Sequence, residues 1–241
     1  MKKNISKLLV MLSVVCVAVS YPMTAKAAQD TFVISKYSES FVPAEDNNAT
    51  LNIEITATST QEGLIYIPVS VKDSELVSAS VDGKEVSGEL TTIGSVEYFA
   101  LEVGEKEAEV TAQAEVSCPG FYDVENDEPD TGIPTPKMSY KFTNKGSNKI
   151  DSYMLSIALP EGIEPMSVTT PSNVTKYTLG MNEQGQRTLS LKGSVAVAGS
   201  SSFEFTFGKP FIDSTISKVV LWAIVLGASA YVLKNRLGEA K

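Results

Sequence analysis

The sequence contains no histidine. Histidine is the commonest general base and the commonest metal ligand, so its absence removes the Ser-His-Asp and Cys-His arrangements. No G-x-S-x-G motif, P-loop or G-x-G-x-x-G motif is present either. These absences predict that the chain is not an enzyme, with no catalytic residue and no organic cofactor.

Cysteine is nearly as scarce, with two residues in the chain, Cys16 and Cys118. Because Cys16 falls in a predicted signal peptide, an intramolecular disulfide is excluded for the mature chain. Cys118 ends the apolar side of a strand-like segment, which favours a small buried hydrophobe. A disulfide to another chain is the alternative.

Basic residues are outnumbered, since 20 Lys and Arg face 29 Asp and Glu and the net charge is −9. Removing the four lysines of residues 1–27 leaves −13. Such a surface repels nucleic acid and anionic lipid headgroups. Cations, basic protein partners and neutral glycans remain as possible partners.

The N-terminal residues 1–27 have the three parts of a secretion signal. A basic start (MKK) is followed by an apolar run over 8–19 and by the A-x-A site Ala25-Lys26-Ala27. This pattern predicts cleavage before Ala28. The basic start and short signal are typical of a prokaryotic chain.

The C-terminal residues carry a second apolar segment, which the sequence predicts to be a transmembrane helix over 212–233. Its uncharged run, VVLWAIVLGASAYVL, extends from Val219 to Leu233. Basic residues in the tail 234–241 then place the C-terminus in the cytoplasm and the N-terminus outside. The expected localisation is the cell membrane, with a single span.

Small residues recur on one side of this segment, at Ala223, Gly227 and Ala230. Spacing of i, i+4 and i+7 places them on one helical face, where small side chains let two helices approach closely. An ordinary apolar span without a helix partner is the alternative.

Alternation of apolar and polar residues dominates the region between these ends. The segment Glu107 to Cys118 (EAEVTAQAEVSC) alternates throughout, which is typical of a half-buried strand. Seven such short strands over residues 31–118, separated by turn residues, favour an antiparallel sandwich. The predicted fold is therefore an all-β ectodomain of two Ig-like antiparallel β-sandwich domains, residues 28–120 and 137–211, plus the C-terminal helix.

Residues 121–136 interrupt the strand pattern with prolines and acidic residues. Proline removes backbone donors and charge opposes burial, so this segment is predicted to be an acidic, Pro-rich linker. Weak calcium binding is the alternative, because calcium takes several carboxylate oxygens from such loops. The candidate metal ligands are Asp123, Glu125, Asp127, Glu128 and Asp130.

Residues 138–207 resemble a known family. The segment Phe142-Thr-Asn144-Lys-Gly146, with Pro160-Glu-Gly162 after the next strand, is similar to the opening of bacterial and archaeal Ig-like surface repeats of the CARDB type. The resemblance implies an Ig-like spacer or adhesion module and assigns no functional residue. Residues 28–120 are assigned to no family.

Together these features predict a non-enzymatic, membrane-anchored extracellular protein that acts as a binding, adhesion or spacer module at the cell surface. One alternative is a carbohydrate-binding or carboxylate-based glycan-active surface protein. Another is an accessory ectodomain subunit of a membrane complex. In each case the partner is an unidentified protein or glycan, and nucleic acid is excluded.

Overall fold

Strands make up most of the chain. A computed structural model describes residues 32–123, 126–127, 135–209 and 215–239. The strands it contains are β1 Val33–Pro43, β2 Ala49–Thr58, β3 Leu64–Pro68, β4 Glu75–Val81, β5 Lys84–Glu85, β6 Gly88–Ile93, β7 Val96–Glu102, β8 Glu109–Cys118, β9 Asn126–Asp127, β10 Thr135–Thr143, β11 Ile150–Ala158, β12 Glu164–Thr170, β13 Tyr177–Met181, β14 Arg187–Val195 and β15 Ser200–Gly208. The predicted strand over 107–118 is confirmed as β8, whose even-numbered residues are buried.

These strands form three sheets. The largest has eight strands in the order β13-β14-β11-β1-β2-β8-β4-β5. A four-stranded sheet has the order β12-β15-β10-β9, and a three-stranded sheet the order β3-β7-β6. One apolar cluster takes residues from all three sheets, so the two smaller sheets share a core with the inner face of the large one.

The pairing of β1 with β11 joins the early and late parts of the sequence. These strands are parallel, with partners from Lys36 and Ser152 to Phe41 and Ile157. From Phe32 onward, the described residues fall into one compact unit. The predicted fold class, two Ig-like antiparallel sandwiches with a transmembrane helix, is therefore wrong. Alternation identifies strands and their buried sides, but it does not say which strands pair.

Local chemistry fixes two turns next to strands of the large sheet, the β4–β5 hairpin and the turn from β10 into β11. Asp82 and Gly83 have φ values of 48° and 78°, the left-handed conformation that a two-residue hairpin between β4 and β5 requires. After β10, the Asn144 side chain accepts a hydrogen bond from the Gly146 amide and donates to the carbonyls of Asn148 and Val195. Buried Asn144 therefore fixes the turn that leads into β11.

The helix α1, Thr215–Glu239, follows the last strand. Its described apolar side chains, among them Leu221, Trp222 and Leu226, are exposed. Within the described residues, no helix combines the length and apolarity needed to cross a bilayer. The predicted transmembrane helix over 212–233 is therefore wrong, and so are the single-pass topology and the cell-membrane localisation. The uncharged run of 15 residues has a length of about 22 Å, against a hydrocarbon thickness of about 30 Å.

The predicted signal peptide, residues 1–27, lies outside the described residues, as does most of the predicted linker over 121–136. The predicted boundaries 28–120, 137–211 and 234–241 stay predictions.

Candidate functional site

A buried carboxylate lies between the large sheet and the four-stranded sheet. Glu39, on β1, is 0% exposed. Its Oε1 accepts hydrogen bonds from the hydroxyls of Tyr140 (2.8 Å) and Ser70 (3.1 Å), and its Oε2 accepts one from Tyr153 (2.9 Å). Because Tyr140 belongs to β10 and Tyr153 to β11, this Glu39 cluster ties the two sheets together.

Burial sets the electrostatics of the Glu39 cluster. Removal from water raises the pKa of Glu39 from 4.5 to about 7, although the hydrogen bonds from Tyr140, Tyr153 and Ser70 act to lower it. Burial first, and then the Glu39 charge, raise the pKa values of Tyr140 and Tyr153 above their ordinary range. Both tyrosines therefore keep the protons that they donate, and Glu39 changes charge near neutral pH.

Stacked aromatic rings hold the hydroxyls in place. The rings of Tyr37 and Phe142 stack at 4.9 Å between centroids, and those of Phe142 and Tyr153 at 4.7 Å. Among the described residues, the buried Tyr37 hydroxyl has no partner in hydrogen-bonding geometry. It nevertheless interacts with the Glu39 charge, which adds to burial in raising the pKa of Tyr37. The cluster is thus a polar centre inside a rigid aromatic core.

The surroundings of Glu39 favour a structural role. Its carboxylate has no exposed surface on which a substrate could bind. Nearby Cys118 is also fully buried, as its interpretation as a small hydrophobe predicts. Burial first, and then the Glu39 charge, raise the pKa of Cys118 to about 12, so the thiol stays protonated and unreactive.

Sequence reasoning missed the Glu39 cluster. It assigned no role to any residue of β1, which extends from Val33 to Pro43. A signal was present, because Tyr37, Glu39 and Phe41 alternate with Ser38 and Ser40. A charged residue between two inward aromatic residues indicates a buried charge when the strand continues through it.

The outer face of the large sheet carries a groove of about 630 Å³. Strands β1, β2, β8, β4 and β5 all contribute to it. Two rows of polar side chains cross these strands in register. One row is Ser38, Glu54, Gln113, Ser80 and Glu85, and the other is Ser40, Asn52, Glu115 and Ser78.

The charge in this groove has one sign. Glu54, Glu85 and Glu115 line it, and no basic or aromatic side chain does so among the described residues. Side chains directly opposite on neighbouring strands lie about 4.5–5.5 Å apart at Cβ, so each carboxylate has amide or hydroxyl neighbours. The groove can therefore bind a ligand that is cationic and rich in hydrogen-bond donors.

The predicted calcium ligands are only partly described. Asp123 is exposed, and its Oδ1 accepts a hydrogen bond from the Asn47 side chain at 2.9 Å. Asp127 lies in β9, but its side chain is outside the described part, as are Glu125, Glu128 and Asp130. No group of three or more metal-ligating side chains occurs among the residues that the structure describes. Calcium binding stays a prediction.

The predicted helix-packing residues lie on α1. Ala223 and Gly227 are exposed, and a Cβ added to Gly227 would meet nothing within 4 Å. The Ala230 side chain is outside the described residues. Helix pairing through these three positions stays a prediction.

Comparison with protein-family models finds no match, and comparison with curated protein sequences finds none either. Solved structures do match. An M1 zinc metallopeptidase from Deinococcus radiodurans is 10% identical, with a TM-score of 0.45 over 73% of this chain and 43% of that chain. Native leukotriene A4 hydrolase from Saccharomyces cerevisiae is 8% identical, with a TM-score of 0.47 over 76% of this chain and 32% of that one. The chain thus spans less than half the length of either protein.

These neighbours correct two predictions. They are a peptidase and a hydrolase, which contradicts the prediction that the chain is not an enzyme. The absence of histidine and of familiar motifs is not evidence that a chain lacks activity, because carboxylates, lysine, tyrosine and serine also act as acids, bases and nucleophiles. The expected Ig-like and adhesion character also lacks support. At this low identity no activity, substrate or metal is transferred to this chain, and the CARDB-type resemblance of residues 138–207 stays a prediction.

Proposed function

We propose that this protein is a binding module that holds a basic, lysine- or arginine-rich segment of a partner protein in the groove on the outer face of the large sheet. The observation that carries the proposal is the sign of the charge in the groove. Three carboxylates line it, without a basic side chain among the described residues.

The shape of the groove supports a ligand of this size. Its volume of about 630 Å³ falls within the range of about 300–1,000 Å³ that is typical of ligand sites. Because its floor consists of paired strands, the backbone that carries the three carboxylates needs little ordering when a ligand binds. The net charge of −9 adds long-range attraction for a cationic partner.

Carboxylate and amide groups in the groove can recognise different parts of a peptide. Glu54 and Glu115 lie on the neighbouring strands β2 and β8 and can each accept a charge-assisted hydrogen bond from a lysine or an arginine. Asn52 and Gln113, also exposed, can bond to the backbone of an extended segment. The carboxylates then select for positive charge, and the amides select for a peptide.

The test is a binding measurement with a short, labelled peptide of alternating lysine and serine. We expect fluorescence anisotropy to show saturable binding that weakens as salt is raised. Replacing both Glu54 and Glu115 by Gln removes two pairs worth about 0.5–1 kcal/mol each, so affinity falls about tenfold.

The control is Glu97→Gln, which removes one negative charge from an exposed site on β7, in the three-stranded sheet. It should leave the peptide affinity within about twofold, because a single distant surface charge is screened. Equal losses in both variants would show nonspecific attraction and overturn the proposal. Binding of neutral oligosaccharides without binding of the peptide would overturn it in favour of a glycan site.

A further inference from the structure

The three carboxylates of the groove have defined positions on the outer face of the large sheet. Glu54 on β2 lies opposite Gln113 on β8. Ser80 on β4 lies opposite both Gln113 and Glu85 on β5. Glu54 and Glu85 therefore belong to one row and are three strands apart, a separation of about 14 Å at the usual strand spacing of about 4.8 Å.

Glu115 lies between these two carboxylates along the direction of the row. It is on β8, two residues from Gln113, and is therefore diagonal to Glu54. Diagonal positions on paired antiparallel strands are about 7–8 Å apart. All three glutamates are exposed, so each can contact a ligand that lies across the strands.

The acidic part of the row has a limit at each end. One limit is β5, which is the edge of the sheet. Past β2, the next positions in the row are Ser38 on β1, Met154 on β11 and Lys192 on β14. Met154 is 37% exposed and Lys192 is exposed, so the outer face changes from acidic to apolar and then to basic. Positive charge on a ligand is therefore favoured between β2 and β5 and disfavoured near β14.

The repeat of an extended peptide matches the spacing of the carboxylates. Alternate side chains of an extended chain point to the same side and are about 6.8 Å apart. The first and third of them are about 14 Å apart, which equals the separation of Glu54 and Glu85. The second lies between them, beside Glu115. Consecutive side chains point to opposite sides, so three adjacent lysines place at most two on the groove.

We propose that the basic segment lies across the strands and carries lysines at positions i, i+2 and i+4. Its two outer lysines pair with Glu54 and Glu85, and its middle lysine pairs with Glu115. Glu85 is then a third residue that determines specificity, whereas a segment that ran along β2 and β8 would not contact it. This inference rests on the proposed function and adds the spacing of charge that the groove selects.

Three labelled peptides of equal charge test the spacing against the full chain. Each has three lysines and four serines, with neutral ends. The lysines alternate with serine in the first peptide, are adjacent in the second and occupy every third position in the third. We expect fluorescence anisotropy to give the alternating peptide at least about threefold higher affinity, because each of the others leaves a lysine without a carboxylate partner.

The results separate this inference from the proposed function. Equal affinities of the three peptides would overturn the spacing. The proposed function would still stand if all three bound the wild type and lost affinity in the double variant Glu54→Gln with Glu115→Gln. If none of the three peptides bound, the proposed function would be wrong, and this inference with it.

A charge exchange tests the contact with Glu85 directly. Two further alternating peptides have glutamate in place of an end lysine or of the middle lysine, so their net charges are equal. In Glu85→Lys, the end glutamate faces the introduced positive charge, whereas the middle glutamate still faces Glu115. The ratio of the affinity of the end-glutamate peptide to that of the middle-glutamate peptide should therefore rise at least about threefold from the wild type to Glu85→Lys.

The matched control is Glu97→Lys, which makes the same change of charge on β7, in the three-stranded sheet. Both side chains are exposed, so both variants should keep the melting temperature of the wild type. In Glu97→Lys the ratio of the two affinities should stay within about 1.5-fold of the wild type, because a distant charge acts equally on both peptides. An equal ratio in Glu85→Lys and Glu97→Lys would show that no lysine of the segment contacts Glu85 and would overturn the inference.

Discussion

The two faces of the large sheet give glutamate side chains opposite environments. Glu39 on β1 faces inward, is 0% exposed and has a pKa raised to about 7 by burial. Glu54, its near neighbour on β2, faces outward into the groove and is exposed. Strand alternation alone places them on opposite faces. Glutamate therefore stabilises the fold on the inner face and is available to bind a ligand on the outer face.

The difference shows which face supports the fold and which is available for binding. Inward residues of β1, β10 and β11 interlock through stacked rings and the hydrogen bonds of Glu39. Outward residues of β1, β2 and β8 are polar and line an open groove. Substitutions on the inner face should therefore change stability, and substitutions on the outer face should change binding.

The largest effect should come from the aromatic core. Phe142→Ala removes a buried ring that stacks on both Tyr37 and Tyr153. The cavity it leaves should lower the free energy of unfolding by about 3–5 kcal/mol. Asn52→Ala, on the outer face, should change it by less than about 0.5 kcal/mol. Urea unfolding measures the free energy of unfolding of both variants. Comparable decreases in the two variants would contradict the view that the inner face supports the fold and the outer face does not.

The next largest effect should be the dependence of the free energy of unfolding on pH that Glu39 causes. Because its folded-state pKa of about 7 lies above 4.5, the folded state holds the proton more tightly than the unfolded chain does. The stabilisation from this group is complete below about pH 4.5 and is lost as pH rises to about 7, by up to about 3 kcal/mol.

Glu39→Gln should remove this part of the pH dependence, because glutamine keeps the shape of glutamate without a titrating proton. Glu54→Gln should retain it. Urea unfolding at about pH 5 and about pH 8 compares the three proteins. An unchanged pH dependence in Glu39→Gln would contradict the assignment of a raised pKa to this carboxylate.

A smaller effect is expected when one donor to Glu39 is removed. Tyr140→Phe deletes the hydroxyl that lies 2.8 Å from the carboxylate. At about pH 8, where Glu39 is charged, the free energy of unfolding should fall by about 1.5–3 kcal/mol, and at about pH 5 by less. The control Tyr177→Phe removes a tyrosine hydroxyl from β13, outside the cluster. Equal losses at both pH values would show that the bond does not depend on the charge of Glu39.

The smallest expected effect is that of calcium on the acidic segment. Asp123 already accepts a hydrogen bond from Asn47, and a self-repelling acidic segment is favoured over a metal site. Millimolar calcium should leave the melting temperature unchanged. A calcium-dependent rise, abolished when Asp123, Asp127 and Asp130 are replaced by Asn, would establish a metal site instead.

Local patterns in the sequence predicted local structure well. Alternation over residues 107–118 identified β8 and its buried side. The parallel pairing of β1 with β11 could not be read in this way, because residues 36 and 152 are far apart in sequence. Pairing between distant strands depends on the whole core rather than on either segment.

The candidate sites were harder to predict than the strands. Glu39 interrupts an apolar alternation, so the pattern that identifies a strand breaks at the residue of interest. The groove draws on five strands, and its rows become visible only when the register is known.

The most direct test of the division between the two faces is the peptide affinity of two variants measured side by side. In the double variant Glu54→Gln with Glu115→Gln, affinity for the lysine-serine peptide should fall about tenfold while stability stays within about 0.5 kcal/mol. In Glu39→Gln, affinity should be unchanged while the part of the pH dependence of stability that Glu39 causes is lost. Unchanged peptide affinity in the outer-face variant, or a comparable loss in Glu39→Gln, would contradict the assignment of binding to the outer face.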